Sequence, residues 1–228
     1  MLLPHSPTPT RKPKPLNTLY SYSIHMDANN IQFTKIEIQI AKYLFKHYKD
    51  RYNSRQLASL LKINHAHASK LCNLLVNKNI LLKEEIGNSV YFSYNYKNNL
   101  SIKFMEYLLS MEENSFPKWI SILPHSLSKF NQYIQLGLVF GSSVKTEDFE
   151  DVDVLLMYQS NNAKDIKRIK DEIRKSELVE KPIRYVDITE KDILLNKEDK
   201  IFYNILSDNL IFYNPEKYVE VIKSVANR

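Results

Sequence analysis

Residues 134–158 read IQLGLVFGSSVKTEDFEDVDVLLMY, and this stretch decides the reading of the C-terminal half. Residues 134–140 form an apolar run of strand length, Gly141-Ser142-Ser143 makes a tight turn, and residues 152–158 form a second apolar run entered through Asp151. Side chains alternate along a strand, so Asp151 and Asp153 project to one face and Val152 and Val154 to the other. Two carboxylates that close repel each other unless a cation lies between them or one is protonated. A hard divalent ion such as Mg2+ resolves this, because it binds through one or two carboxylates plus substrate phosphates. The backbone of the turn can then approach phosphate oxygens, with the Ser142 hydroxyl as a further donor.

An apolar strand, Gly141-Ser142, a loop, and Asp151-Val152-Asp153-Val154 together resemble the DNA polymerase β nucleotidyltransferase superfamily, especially its minimal members, over residues 125–215. The resemblance implies a small mixed-sheet domain that binds Mg2+ (two ions) and an NTP and transfers the NMP group to an acceptor, with pyrophosphate leaving. It implies Asp151 and Asp153 as metal ligands and Gly141, Ser142, Ser143 and Lys145 as nucleotide-binding residues. A third carboxylate on a neighbouring strand usually completes such a site. Asp187, in Pro182-Ile183-Arg184-Tyr185-Val186-Asp187-Ile188, is the only acid in that segment. Two readings of it stand: a metal ligand or base, or the cap of a helix begun by Thr189-Glu190. The chain departs from the family pattern in its loop, where eight residues separate Ser142 from Asp151 and Thr146 stands where glycine is common. Glu147, Asp148 and Glu150 also make that loop acidic.

The rest of this half reads as a small α/β unit. Ile166, Ile169 and Ile173 form the inner face of a crossing helix, and residues 210–213 make a strand before a terminal helix after Pro215.

Towards the N-terminus, Thr34-Lys35-Ile36-Glu37 is a capping box for a first helix that runs to about Tyr48. Asn53 or Ser54 caps a second helix carrying Leu57, Ala58, Leu60 and Leu61, and Asn64 caps a third with Ala68, Leu71, Leu74 and Leu75 inward. Asn79 ends that helix, and residues 80–86 and 90–94 flank the turn Gly87-Asn88 as a hairpin. A further amphipathic helix carries Ile102, Met105, Leu108, Leu109 and Met111. The order resembles the winged helix-turn-helix family over residues 31–97, departing from it at Lys62, where the family often has glycine. The resemblance implies that His65, His67, Ser69, Lys70 and Asn73 face a major groove while Arg51, Arg55, Lys62 and Lys83 contact phosphates. The competing reading is a winged helix used for protein contacts.

Charge supports a polyanionic partner for this half. Residues 1–113 carry 15 Lys/Arg against 8 Asp/Glu, residues 114–228 carry 17 against 18, and residues 51–83 contain no acid at all. The first 30 residues hold five of the nine prolines with Arg11, Lys12 and Lys14, and read as a mobile basic tail. Prolines interrupt that segment where a signal peptide needs an apolar stretch, and no apolar run approaches the ~18 residues of a membrane span. A cytoplasmic location is the expectation.

Cys72 is the only cysteine, which excludes an internal disulfide or a cysteine-rich zinc site, and it reads as a packing residue. With three glycines, each marks a backbone requirement.

The expected fold is therefore α+β in two domains: a basic tail (1–30), a winged helix-turn-helix (31–97), a connecting helix and linker (98–124), and a nucleotidyltransferase domain (125–228). The expected activity is metal-dependent NMP transfer to a protein, a nucleic-acid end or a small molecule. The alternative is a DNA-binding transcriptional regulator or antitoxin whose second domain senses nucleotide without turnover. Expected partners are an NTP and double-stranded DNA, with a toxin-like protein or a second copy of the chain also open, and no membrane.

Overall fold

The computed structural model describes residues 32–112, 116–176 and 181–226. The expected tail, with Arg11, Lys12 and Lys14, lies outside the described residues. The first helix, α1 (Lys35–Lys46), starts at the expected capping box: the Thr34 hydroxyl accepts from the Glu37 amide at 3.2 Å, and the Thr34 amide donates to the Glu37 carboxylate at 2.8 Å. After a short strand β1 (Tyr52–Asn53), Asn53 caps α2 (Ser54–Leu61) and Asn64 caps α3 (His65–Asn77). Lys62 adopts φ 54 in the turn between α2 and α3, so the left-handed position is filled without glycine, and the expected tight turn forms. Asn79 follows α3 at φ 58.

Strands β2 (Leu81–Ile86) and β3 (Ser89–Tyr94) form the expected hairpin, with Gly87 at φ 58 in its turn, and β1 adds to β3 to make a three-stranded antiparallel sheet. Ile40, Leu44, Leu57, Leu71, Leu75 and Phe92 are buried beneath these elements. Cys72 joins them, its thiol pushed up to about 12 by burial. The packing reading of that cysteine holds. Helix α4 (Asn99–Ser110) follows, and then the short helix α5 (Leu123–Leu127).

The second sheet contains β4 (Leu136–Phe140), β5 (Val152–Met157), β6 (Ile183–Ile188) and β7 (Asn209–Tyr213), in the order β6-β5-β4-β7. The β5–β6 pair is parallel, joined by α6 (Ala163–Arg174), and the other pairs are antiparallel. One face of this sheet, with Val139, Val152, Val154 and Leu156, packs on Ile166, Ile169 and Ile173 of α6 and on Leu123 and Phe130. The other carries the buried Leu138, Leu155 and Met157 and lies towards α9 (Pro215–Ala226). Helices α7 (Glu190–Leu195) and α8 (Lys200–Ser207) lead from β6 to β7.

Thr34–Arg228 is one compact unit in which the two sheets are tied together. Helix α4 packs on α9. The Lys46 ammonium donates to the Asn209 carbonyl at 2.9 Å, and the Tyr203 hydroxyl donates to the Asp50 carboxylate at 2.7 Å. The protein is thus a mixed α+β structure with two sheets. No helix among the described residues is long and apolar enough to cross a membrane.

Candidate functional site

The site is built where β4 hands over to β5. Phe140 pairs across from Asp153, so the end of β4 and the start of β5 lie side by side. Gly141 then turns the chain at φ 82, a conformation that side chains rarely adopt. A Cβ at this position would meet the Asp153 carboxylate, so that side chain would have to shift to admit one. The carboxylate therefore lies directly against the turn backbone. Ser142 and Val144 bound a single 3-10 turn whose Ser142 carbonyl accepts from the Lys145 and Thr146 amides at 2.9 and 3.1 Å.

Ser142 is exposed, whereas Ser143 is fully buried, with its hydroxyl on the Phe140 carbonyl at 3.3 Å. The Ser143 carbonyl accepts the Trp119 indole N–H at 2.9 Å. Of the two serines only Ser142 offers its side chain to a ligand. Lys145 is exposed and ion-paired to Asp208 at 2.9 Å.

Asp151 and Asp153 are brought together. Burial raises the Asp153 carboxyl above its ordinary value, the Asp151 charge raises it further, and Arg184 opposes the shift. Arg184 is the in-register neighbour of Asp153 on β6, and its guanidinium reaches the Asp151 carboxylate at 2.5 Å. The protein itself thus supplies a cation to this acidic pair, bonded to Asp151 and lowering the Asp153 carboxyl through its charge.

Asp187 is not part of this group. In the parallel register it pairs with Leu156, so it points to the α6 face, where Lys170 holds its carboxylate at 2.5 and 2.6 Å. The sheet separates it from Asp153. It is not a helix cap either, because Thr189 caps α7 and closes a box with Asp192. Among the described residues no group of three or more His, Cys, Asp or Glu gathers around a common point. What remains, two adjacent carboxylates with a partly neutralised charge and an open turn backbone beside them, fits a divalent ion that draws its other oxygens from a phosphate ligand.

The α3 surface presents His67, Lys70 and Asn73 on one exposed stripe, with Ser69 half-buried beside it. The His65 ring meets the Ser54 hydroxyl at 2.9 Å, and the Asn73 amide donates to the Ser69 carbonyl at 2.8 Å. Arg55, Lys62 and Lys70 are exposed and have no ion pair among the described residues. Arg51 and Lys83 are engaged instead, with Glu84 at 3.0 Å and Glu85 at 3.3 Å. The hairpin's own acids neutralise them.

Sequence reasoning missed Arg184, Trp119 and Asp208, the residues that hold Asp151, the turn and Lys145. Arg184 stands three residues before Asp187 in the sequence, but its significance depends on the β5–β6 register.

Comparison with family models, with curated proteins and with solved structures finds no match to this chain.

Proposed function

We propose that the chain is a winged helix-turn-helix DNA-binding unit joined to a minimal nucleotidyltransferase unit of the DNA polymerase β superfamily type, which moves an NMP group from Mg–NTP to an acceptor. The observation that carries this reading is the seating of the Asp153 carboxylate against the Gly141 turn, with Asp151 beside it. Carboxylates and phosphate-accessible backbone then share one site, which is what binding a metal-complexed triphosphate needs. Asp151 and Asp153 would hold the ion and Ser142 a phosphate oxygen. A bound Mg2+ supplies neutralisation of the triphosphate and of charge developing on the leaving pyrophosphate. For Asp151 to hold an ion, Arg184 would have to give up its pair with Asp151 and would then be placed to meet a phosphate.

The DNA-binding half of the proposal rests on the exposed stripe of His67, Lys70 and Asn73 on a capped helix, with Arg55 and Lys62 free to meet phosphates.

A second reading keeps nucleotide binding without turnover, in a DNA-binding regulator or antitoxin. The Asp151–Arg184 pair and the placement of Asp187 across the sheet favour it, because among the described residues they leave two carboxylates and no third acid in the site.

Calorimetric titration with Mg–ATP and Mg–GTP tests the shared core of both readings, comparing the wild type with an Asp151→Asn, Asp153→Asn double variant shown to fold. Binding by the wild type alone is the expected result, and no binding by the wild type overturns both. Release of pyrophosphate, assayed with labelled NTP and candidate acceptors, then separates transfer from sensing.

A further inference from the structure

We propose that a groove on the α6 side of the second sheet binds single-stranded nucleic acid. It consists of two adjoining pockets of about 340 and 380 Å³, each within the ~300–1,000 Å³ range of small-ligand sites. Lys170 and Arg174 of α6 with Ile183 and Tyr185 of β6 line the first, and Lys118, Trp119, Glu147, Phe149 and Val152 line the second. Lys181 lines both, with its ammonium over the Phe149 ring at 5.7 Å, and Val152 and Ile183 are register neighbours on adjacent strands. The two pockets therefore adjoin at Lys181.

Its lining sets four cations, Lys118, Lys170, Arg174 and Lys181, beside the rings of Trp119, Phe149 and Tyr185, against one acid, Glu147, among the described residues. Trp119 is 40% exposed, yet its indole edge is anchored to the Ser143 carbonyl, so the ring is held in place with a surface open to a ligand. Stacking on such a ring is worth having for any base, and flanking lysines follow the phosphates. Lys118 and Lys181 are exposed and have no ion pair among the described residues, so they are available to an anion. Lys170 and Arg174 are partly offset by Asp187 and Asp171. The Tyr185 hydroxyl is buried without a hydrogen-bond partner among the described residues.

A duplex hides its base faces in its own stack, so only an unpaired strand can use Trp119. The groove lies on the face of the sheet opposite to Asp153, and the proposal does not depend on nucleotide transfer there.

Trp119 is the only tryptophan in the chain, so its fluorescence reports on the groove directly. Titrating the full chain with a short oligothymidylate at low salt should quench it saturably. The Lys118→Glu, Lys181→Glu double variant, both changes being at exposed positions, should weaken binding by about tenfold or more. With a labelled oligonucleotide read by anisotropy, Trp119→Phe should retain more affinity than Trp119→Ala, because a ring remains to stack on. Absent quenching, or an affinity unchanged in a folded double variant, overturns the proposal. Equal quenching by thymidine monophosphate at the same concentration also overturns it, in favour of a small-ligand pocket.

Discussion

Arg184 and Asp151 form an ion pair at 2.5 Å across the parallel β5–β6 edge, and the same arginine is the register neighbour of Asp153. The arginine and a divalent cation would compete for one carboxylate. Arg184→Gln should therefore tighten Mg2+ binding by about fivefold or more, because the Asp151 side chain is largely buried and the pair is worth at least the ~1 kcal/mol upper end of exposed pairs. Titration of Mg2+ into the wild type and the variant reads this, and an unchanged affinity would show that the ion does not use Asp151.

Gly141 has both a positive φ and a carboxylate where a side chain would go. Gly141→Ala should cost about 1–3 kcal/mol of stability, the usual range for a residue forced into a sparsely populated conformation. Nucleotide binding should fall with it. Urea denaturation measures the first effect and calorimetry the second. A variant as stable as the wild type would mean that the turn relaxes freely.

Arg55 is exposed on α2 without an ion pair among the described residues, whereas Arg51 is held by Glu84. In duplex-DNA binding measured against salt, Arg55→Ala should reduce the logarithmic salt slope by about 0.9, the value for one lost phosphate contact. Arg51→Ala should change it less. Equal effects of the two substitutions would place the duplex elsewhere.

Lys46 is buried between α1 and β7, and its ammonium is pushed down to about 8, first by burial and then by the Lys42 charge, against the opposing charges of Glu112 and Asp208. The unfolded chain holds this proton up to its ordinary value of 10.5. Between these values the unfolded state binds more protons, so the contribution of Lys46 to stability rises with pH from about 8 to 10.5. Across that window the wild type should gain stability relative to Lys46→Met, read as the difference between their denaturant midpoints, because the raised tyrosines and Cys72, which act in the opposite sense, are common to both. A difference that stays constant across the window would show that Lys46 does not carry the effect.

The local elements were legible because their signals are local. The Thr34/Glu37 box, the Asn53 and Asn64 caps, the turn at Gly87 and the helical spacing of Ile166, Ile169 and Ile173 each act within a few residues, and each formed where it was read. The Gly141 turn and the pairing of Asp151 with Asp153 belong to the same category, since they depend on one tight connection and on strand alternation.

Asp187 and Arg184 mark the boundary. Their sequence spacing says that they point to opposite faces of β6, but which face meets the carboxylate pair depends on the register of β6 against β5, set by packing of Val152, Val154 and Leu156 beneath α6. Likewise the basic run at residues 51–83 is visible in the sequence, and the Lys83–Glu85 pair is local to β2, but the pairing of Arg51 with Glu84 arises only when β2 folds beside Arg51. The sequence by itself determined the caps, the turns and the carboxylate pair, because these are encoded by neighbours along the chain. Tertiary structure alone decided which charge faces that pair, which acid is excluded from it, and which cations remain free, because those outcomes depend on contacts between segments far apart in sequence.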